Sequence, residues 1–262
     1  MCLIIFDWQP KNDRQLILAA NRDEFHDRPS QDAEFWTDTP NIFGGRDLRA
    51  GGTWLALSKN RRFACVTNYR APESDNYDSS RGEIPKLFLS SKLEASEFSS
   101  KLNGQIYAGF NALLFDGHEL IYFTNRQFDS NNEPKNYYEA LRPGKYGLSN
   151  HLLDSPWHKI KQTKPALDKI SSSMCKKTIS DQLLKAMQNE TLAIEADLPD
   201  TGLQKSLELL WSPAFIAGPT YGTRTCSIVI LDQTEAHFHE RQYEGCVSRH
   251  RNHTHKITFQ ST

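Results

Sequence analysis

Two apolar runs joined by a short polar turn open the chain and constrain its fold more than any other feature. Leu3 to Trp8 is rich in β-branched and aromatic residues, as a buried strand is. Gln9 to Asp13 contains turn-forming residues, and a second apolar run follows at 15–20. The pattern predicts an antiparallel hairpin, in which the end of the second strand returns to the start of the first.

A cysteine stands at the second position, directly before the first run. Methionine aminopeptidases remove Met1 when the next side chain is small, so removal would leave Cys2 with a free α-amine beside its thiol. The pKa of such an amine is ordinarily about 8, and its unprotonated form can take the thiol proton. Cys2 is therefore a candidate nucleophile that carries its own general base. The alternative is an ordinary small buried cysteine.

Four polar residues, Asn21 to Glu24, follow the second run. In the predicted hairpin they lie near Cys2, where the Asp23 carboxylate can bind the terminal ammonium and orient the amine. The alternative is a solvated hairpin exit whose charges pair with one another. The position of these residues therefore allows two interpretations, a site or an exposed strand end.

The rest of the chain alternates strands and helices without an internal repeat or a shift in composition. Helices are predicted over 83–89, 94–102, 155–170 and 179–187, and antiparallel strands over 226–231, 235–241 and 255–259. A polar loop is predicted over 127–135. This order predicts an α+β fold, with two antiparallel sheets and helices outside them, in a single domain spanning 1–262.

Composition limits the classes of partner and compartment. The 262 residues carry a formal net charge of −1, which argues against nucleic acid as a partner, and the apolar runs are too short to span a bilayer. Five scattered cysteines without a C-x-x-C pair predict neither a disulfide framework nor a zinc site. No leader is expected either, so the location predicted is cytoplasmic.

Six motifs together resemble a known family. They are Met-Cys-Leu-Ile-Ile-Phe at 1–6, Asn-Arg-Asp-Glu at 21–24, Gly-Gly-Thr-Trp at 51–54, Val-Thr-Asn-Tyr-Arg at 66–70, Gly-Leu-Ser-Asn at 147–150 and Tyr-Gly-Thr-Arg at 221–224. The chain resembles the NRDE family, also called the transport-and-Golgi-organisation family. More distantly it is similar to N-terminal-nucleophile hydrolases of the choloylglycine hydrolase and penicillin V acylase type, which implies a four-layer αββα sandwich.

The resemblance to these hydrolases implies roles for individual residues. Cys2 would be the nucleophile, its α-amine the base, and Asp23 the group that holds the amine. Asn68 and Asn150 would border the oxyanion site, and Arg224 would sit beside the Cys2 thiolate. The hydrolases place a further arginine slightly earlier than this aspartate, where Ala20 stands here. Residues expected to contact substrate are Asn21, Arg22, Trp54, Tyr69 and Arg70.

The implied activity is hydrolysis of a carbon–nitrogen amide bond in a small acyl-amide, through an acyl-Cys2 intermediate and without a required cofactor. Two alternatives stay open on the same fold. The chain could carry haem within the cell, ligated by Cys2 as thiolate or by C-terminal histidines at 237, 239, 250, 253 and 255. It could also bind acyl-coenzyme A, with Arg22, Arg46 and Arg70 as phosphate contacts.

Overall fold

The computed structural model of the protein describes residues 2–72 and 77–260. The chain divides into two compact units, which are described in turn. Unit 1 comprises Met1–Asp27, Pro143–Ser149 and Leu153–Ile257, and unit 2 comprises Arg28–Arg142, Asn150–Leu152 and Thr258–Thr262. The single-domain organisation stays a prediction.

The strands are β1 (Cys2–Trp8), β2 (Arg14–Phe25), β3 (Ser30–Phe35), β4 (Ile42–Asp47), β5 (Leu55–Ser58), β6 (Phe63–Asn68), β7 (Phe110–Phe115), β8 (Leu120–Phe128), β9 (Pro134–Ala140), β10 (Gly144–Leu148), β11 (Tyr221–Asp232), β12 (Glu235–Tyr243) and β13 (His250–Thr258). The helices are α1 (Glu83–Ser90), α2 (Ala95–Lys101), α3 (His158–Thr163), α4 (Lys176–Met187) and α5 (Lys205–Leu210). Single 3₁₀ segments cover Gly104–Ile106, Lys164–Lys169 and Glu195–Asp197.

Unit 1 is built on an antiparallel sheet with the order β10-β1-β2-β11-β12-β13. The predicted N-terminal hairpin and the three predicted antiparallel strands near the C-terminus are therefore confirmed. Apolar residues that alternate along the central strands pack with α3 and α4 in one core on one face of this sheet. Gly147 on β10 allows Ile160 of α3 to approach, since a Cβ at Gly147 would lie 2.4 Å from Ile160 Cγ2.

Unit 2 is built on a second antiparallel sheet, in which β3 to β9 follow one another in chain order. Its core joins one face of the sheet to α1 and α2, through buried aromatic and aliphatic side chains such as Phe88, Phe110 and Phe123. The Phe110 and Phe123 rings are stacked with their centroids 5.4 Å apart. Short turns join most of the neighbouring strands, whereas β6 and β7 pair although α1 and α2 lie between them in the chain.

The two units confirm the predicted α+β class. Each contributes one antiparallel sheet and helices that pack on it, which is what the predicted αββα arrangement requires of each half. The longest helix of the described residues, α4, has 12 residues, and none of these helices has the length and apolarity that a membrane crossing needs. The cytoplasmic location stays a prediction.

Two local predictions were wrong. The segment 127–135 is not a loop throughout, because β8 continues to Phe128 and β9 begins at Pro134. The helix predicted over 155–170 is α3 followed by a 3₁₀ segment, since Pro165 lacks the N–H that would continue the α-helix. The polar residues 21–24 form the end of the second strand, as predicted.

Candidate active site

The register of β1 against β2 places the polar motif beside the start of the chain. Cys2 stands opposite Arg22, and Leu3 stands opposite Asn21. Because the two strands are antiparallel, Asp23, which follows Arg22 on β2, lies one residue beyond Cys2 on the side of its backbone nitrogen. On the other side of β1, the Ser149 hydroxyl donates a hydrogen bond to the Cys2 carbonyl over 3.0 Å. The first residue of β1 is thus held from both sides.

Alternation along the strands puts the thiol and the carboxylate on opposite faces of the sheet. Leu3 belongs to the core shared with α3 and α4, and its partner Asn21 reaches the same helical side. Asp23, two residues further, shares that face, whereas Cys2 and Arg22 point to the other. The backbone nitrogen of Cys2 lies between the two faces. The Asp23 side chain therefore lies on the face of the sheet opposite the thiol.

A β-bulge in β11 adapts the neighbouring strand to this arrangement. Thr223 pairs with Asp23 and Thr225 pairs with Arg22, so Arg224 is an extra residue between them. Without the bulge, the two threonines would share one face of the sheet. With it, Thr223 lies on the face of Asp23, and Thr225 lies on the face of Arg22.

Asp23 is buried and both of its carboxylate oxygens face polar groups. The Thr223 hydroxyl donates to Asp23 Oδ1 over 2.7 Å. Lys159 Nζ of α3 lies 4.0 Å from Asp23 Oδ2, and both side chains are almost fully buried. Lys159 was not among the predicted site residues, because nothing in the sequence around it indicates that tertiary packing will bury this lysine.

The Cys2 thiol sits in surroundings that favour its neutral form. Burial raises the pKa of the thiol, the Asp23 and Glu24 carboxylates add to the rise, and the Arg22 guanidinium opposes it. Arg22 itself is buried and its Nη2 lies 3.8 Å from Glu24 Oε2. A neutral resting thiol needs a base to become a nucleophile.

Asn21 lies on the helical side of the sheet, and its expected contact with substrate stays a prediction. It is buried, and its Nδ2 donates to the main-chain oxygens of Met187 and Ala214, each over 2.8 Å. These bonds join β2 to the end of α4 and to the segment before β11. The amide of Asn21 thus holds the scaffold on the helical side of the sheet.

Arg224, expected beside the thiolate, reaches the end of β2. Its Nη1 donates to the main-chain oxygens of Phe25 over 3.0 Å and His26 over 3.4 Å. Together with His26, Gly218 and Tyr243 it lines a cleft of about 480 Å³. A role for Arg224 next to Cys2 stays a prediction.

Four of the expected site residues come together in unit 2. Asn150 Nδ2 donates to the Asn68 carbonyl over 3.0 Å, and the Arg70 N–H donates to the Asn150 carbonyl over 2.7 Å. The buried Tyr69 ring packs against the His151 ring, with centroids 4.9 Å apart and the ring planes tilted by 33°. Residues 150–152 are thereby fastened to the end of β6. Oxyanion contacts by Asn68 and Asn150 and substrate contacts by Tyr69 and Arg70 stay predictions.

Trp54 and Arg46 lie elsewhere in unit 2. The Trp54 ring packs over Gly45, where a Cβ would lie 2.5 Å from the ring. Arg46 forms a two-pronged ion pair with Asp38, over 2.8 and 2.7 Å, and lies over the Trp36 ring. This pairing occupies the guanidinium edge that a phosphate would use. Coenzyme A binding through Arg46 therefore has no support in its contacts, and the substrate role of Trp54 stays a prediction.

The C-terminal histidines do not assemble into a ligand cluster. Among residues 2–72 and 77–260, no three His, Cys, Asp or Glu side chains are placed to hold a metal ion together. His239 Nδ1 is hydrogen-bonded to Thr254 Oγ1 over 2.8 Å, and burial lowers the pKa of His237 and His239. Haem carriage stays a prediction.

Comparison with known proteins identifies the family. A family model described as Transport and Golgi organisation 2 matches residues 1–245. The Transport and Golgi organization 2 homolog of Mus musculus is 35% identical over 287 residues, and that of Homo sapiens is 34% identical over 288 residues, with both chains fully covered in each case.

A solved structure of a mutant conjugated bile acid hydrolase from Clostridium perfringens is similar at a TM-score of 0.48 and 8% identity, covering 100% of this chain and 97% of that one. At these values the likeness carries no conclusion about activity.

The family prediction is confirmed by the family match and the relatives. The chain belongs to the Transport and Golgi organisation 2 family.

Proposed function

We propose that this protein is an N-terminal-cysteine hydrolase that cleaves the carbon–nitrogen amide bond of a small acyl-amide. The observation that carries the proposal is the register of β1 and β2. It places Arg22 opposite Cys2 and the buried Asp23 one residue further along β2, on the side of the Cys2 nitrogen. A buried carboxylate at that position suits a group that must orient a terminal amine. Met1 lies outside the described residues, and its removal is part of the proposal.

The first half of the reaction forms the acyl-enzyme. The Cys2 α-amine takes the thiol proton as the sulfur attacks the carbonyl carbon, and a tetrahedral oxyanion forms. The raised pKa of the thiol makes this base necessary, since little thiolate is present beforehand. The carbon–nitrogen bond then breaks, and the α-ammonium returns its proton to the leaving amine.

The second half releases the acid. The α-amine takes a proton from a water molecule, which attacks the thioester carbonyl of acyl-Cys2. The carbon–sulfur bond breaks, and the sulfur recovers a proton from the α-ammonium. One water is consumed, and one carboxylic acid and one amine are produced, so the enzyme ends in its starting state.

Turnover of a panel of N-acyl amino acids tests the proposal. Cys2→Ala keeps the second residue small, so Met1 processing is expected to continue while the nucleophile is lost. The matched control is Cys175→Ala, which removes an exposed thiol at the start of α4. We expect release of the amine by the unchanged protein and by Cys175→Ala, and none above background by Cys2→Ala. Equal turnover by all three proteins, or none by any, contradicts the proposal.

A further inference from the structure

Lys159 carries a buried ammonium group that has no part in the mechanism proposed above. It lies on the short helix α3 and is 1% exposed, although lysine is rarely buried without a partner. Its main chain is fixed, because the Thr163 hydroxyl donates to the Lys159 carbonyl over 2.7 Å and the neighbouring Ile160 packs on Gly147 of β10. The main chain from which the Lys159 side chain extends is therefore held by the fold of unit 1.

The Lys159 ammonium lies near the Asp23 carboxylate. Lys159 Nζ lies 4.0 Å from Asp23 Oδ2, while Asp23 Oδ1 accepts the Thr223 hydroxyl. Thr223 in turn accepts the Ile216 N–H at its Oγ1 over 2.9 Å. One carboxylate oxygen is thus oriented by a neutral donor, and the other faces a positive charge.

Two requirements on Asp23 conflict when it acts alone. A carboxylate that binds the α-amine orients it, but a negative charge also stabilises the ammonium form, which cannot serve as a base. A second cation beside the carboxylate removes this conflict, because the pair presents little net charge to the amine. The hydrogen-bonding oxygen is kept while the bias towards the ammonium is lost.

We propose that Lys159 is a positioning residue whose ammonium balances the Asp23 carboxylate, so that Asp23 orients the Cys2 α-amine without holding it in the charged form. This inference rests on the proposed function, since it concerns the base of that reaction. The other titratable or charged groups around the pair are Cys2, Arg22 and Glu24 on β1 and β2 and Cys226 on β11, with Glu240 and Arg241 beyond it on β12. Of these groups only Cys2 is altered below, in the variant that serves to assign the amine signal.

The test measures the charge of the α-amine directly, in full-length protein from which Met1 has been removed. The protein is labelled with ¹³C,¹⁵N-cysteine, and the ¹⁵N shift of the Cys2 amine, assigned by its absence in Cys2→Ala, is followed across pH. In Lys159→Met we expect the titration midpoint to rise by about one pH unit, the low end of the shift that a nearby charge produces. The control Lys161→Met, an exposed lysine of the same helix paired with Asp197, should leave it unchanged.

A second variant keeps the inference testable when Lys159→Met does not fold. Asp23→Asn removes the carboxylate and leaves the Lys159 cation beside the amine, so the midpoint should fall below the ordinary value for an α-amine, about 8. An unchanged midpoint in a folded Lys159→Met, or a midpoint at or above the ordinary value in Asp23→Asn, overturns the inference.

Turnover measured on the same samples separates the two proposals. A rising midpoint in Lys159→Met without turnover by the unchanged protein would overturn the hydrolase and keep the role of Lys159. Turnover by the unchanged protein with an unmoved midpoint would do the reverse. Where both hold, the pH–rate profile of Lys159→Met should move to higher pH together with the amine titration.

Discussion

The residues at the end of β2 in unit 1 and those at the end of β6 in unit 2 are held in place by different interactions. In unit 1, Asp23 is positioned by two side chains, the Thr223 hydroxyl and the Lys159 ammonium. In unit 2, Asn150 is positioned through the main chain, by the Asn68 carbonyl and the Arg70 N–H. The first arrangement depends on charge, and the second depends on neutral hydrogen bonds.

This difference indicates which region tolerates change. A buried ion pair is strongly destabilising when one partner is removed, because the remaining charge has no compensation. A neutral side-chain bond to the main chain costs less to lose. We therefore expect the region around Asp23 to be sensitive to substitution and to charge, and the region around Asn150 to be less so.

The largest effect is expected at Lys159. Replacement by Met leaves the buried Asp23 carboxylate without its ammonium, and we expect the free energy of unfolding to fall by about 3 kcal/mol. Urea denaturation measures this change. Lys161→Met is the control, because it removes only an exposed pair with Asp197 and should cost at most about 0.5 kcal/mol. Similar losses in the two variants would remove the basis of the comparison.

A smaller loss is expected at Asn150. Asn150→Ala removes the donor to the Asn68 carbonyl in a buried place, at a cost of about 1–2 kcal/mol in the same denaturation experiment. The control is Asn136→Ala on the exposed strand β9, which removes an equivalent bond to the Leu102 carbonyl. Water can replace that bond, so the loss of stability should be smaller there. A loss at Asn150 as large as that at Lys159 would show that the main-chain contacts matter as much as the ion pair.

The smallest effect is a pH dependence within unit 2. Burial lowers the pKa of His151, so the unfolded chain binds its proton more readily than the folded protein does. The contribution of His151 to stability is therefore present above about pH 6.5 and is lost as pH falls from there towards its lowered folded-state pKa.

His151→Gln should reduce the slope of stability against pH between 5 and 7, and urea midpoints across that range measure it. His118→Gln, in the exposed turn between β7 and β8, is the control and should keep the slope. A steeper slope in His151→Gln would mean that the folded protein favours the charged imidazole, contrary to the burial argument.

The sequence was sufficient for the parts of the fold that depend on local patterning. The two continuous apolar runs and the polar turn between them predicted the hairpin, and the hairpin alone predicted that Asp23 lies near Cys2. Apolar periodicity also located α1 and α2 closely. In these cases the residues that form the element also carry the signal for it.

Other features had no local signal. Lys159 is buried by the docking of α3 on β10, which depends on Gly147 and Ile160 being close in space. Strand β9 has no buried residue, so it lacks the apolar alternation by which strands are recognised. The bulge at Arg224 depends on how β11 pairs with β2, and its motif could not show which way the guanidinium points.

The most direct test of the account is the mass of the protein, expressed without an N-terminal tag and quenched with acid during reaction with an N-acyl amino acid. We expect the mass of a chain that lacks Met1, together with a species heavier by the acyl group, which peptide mapping places on Cys2. Retention of Met1, or an acyl group found only on another residue, would contradict the central claim that Cys2 is an N-terminal nucleophile.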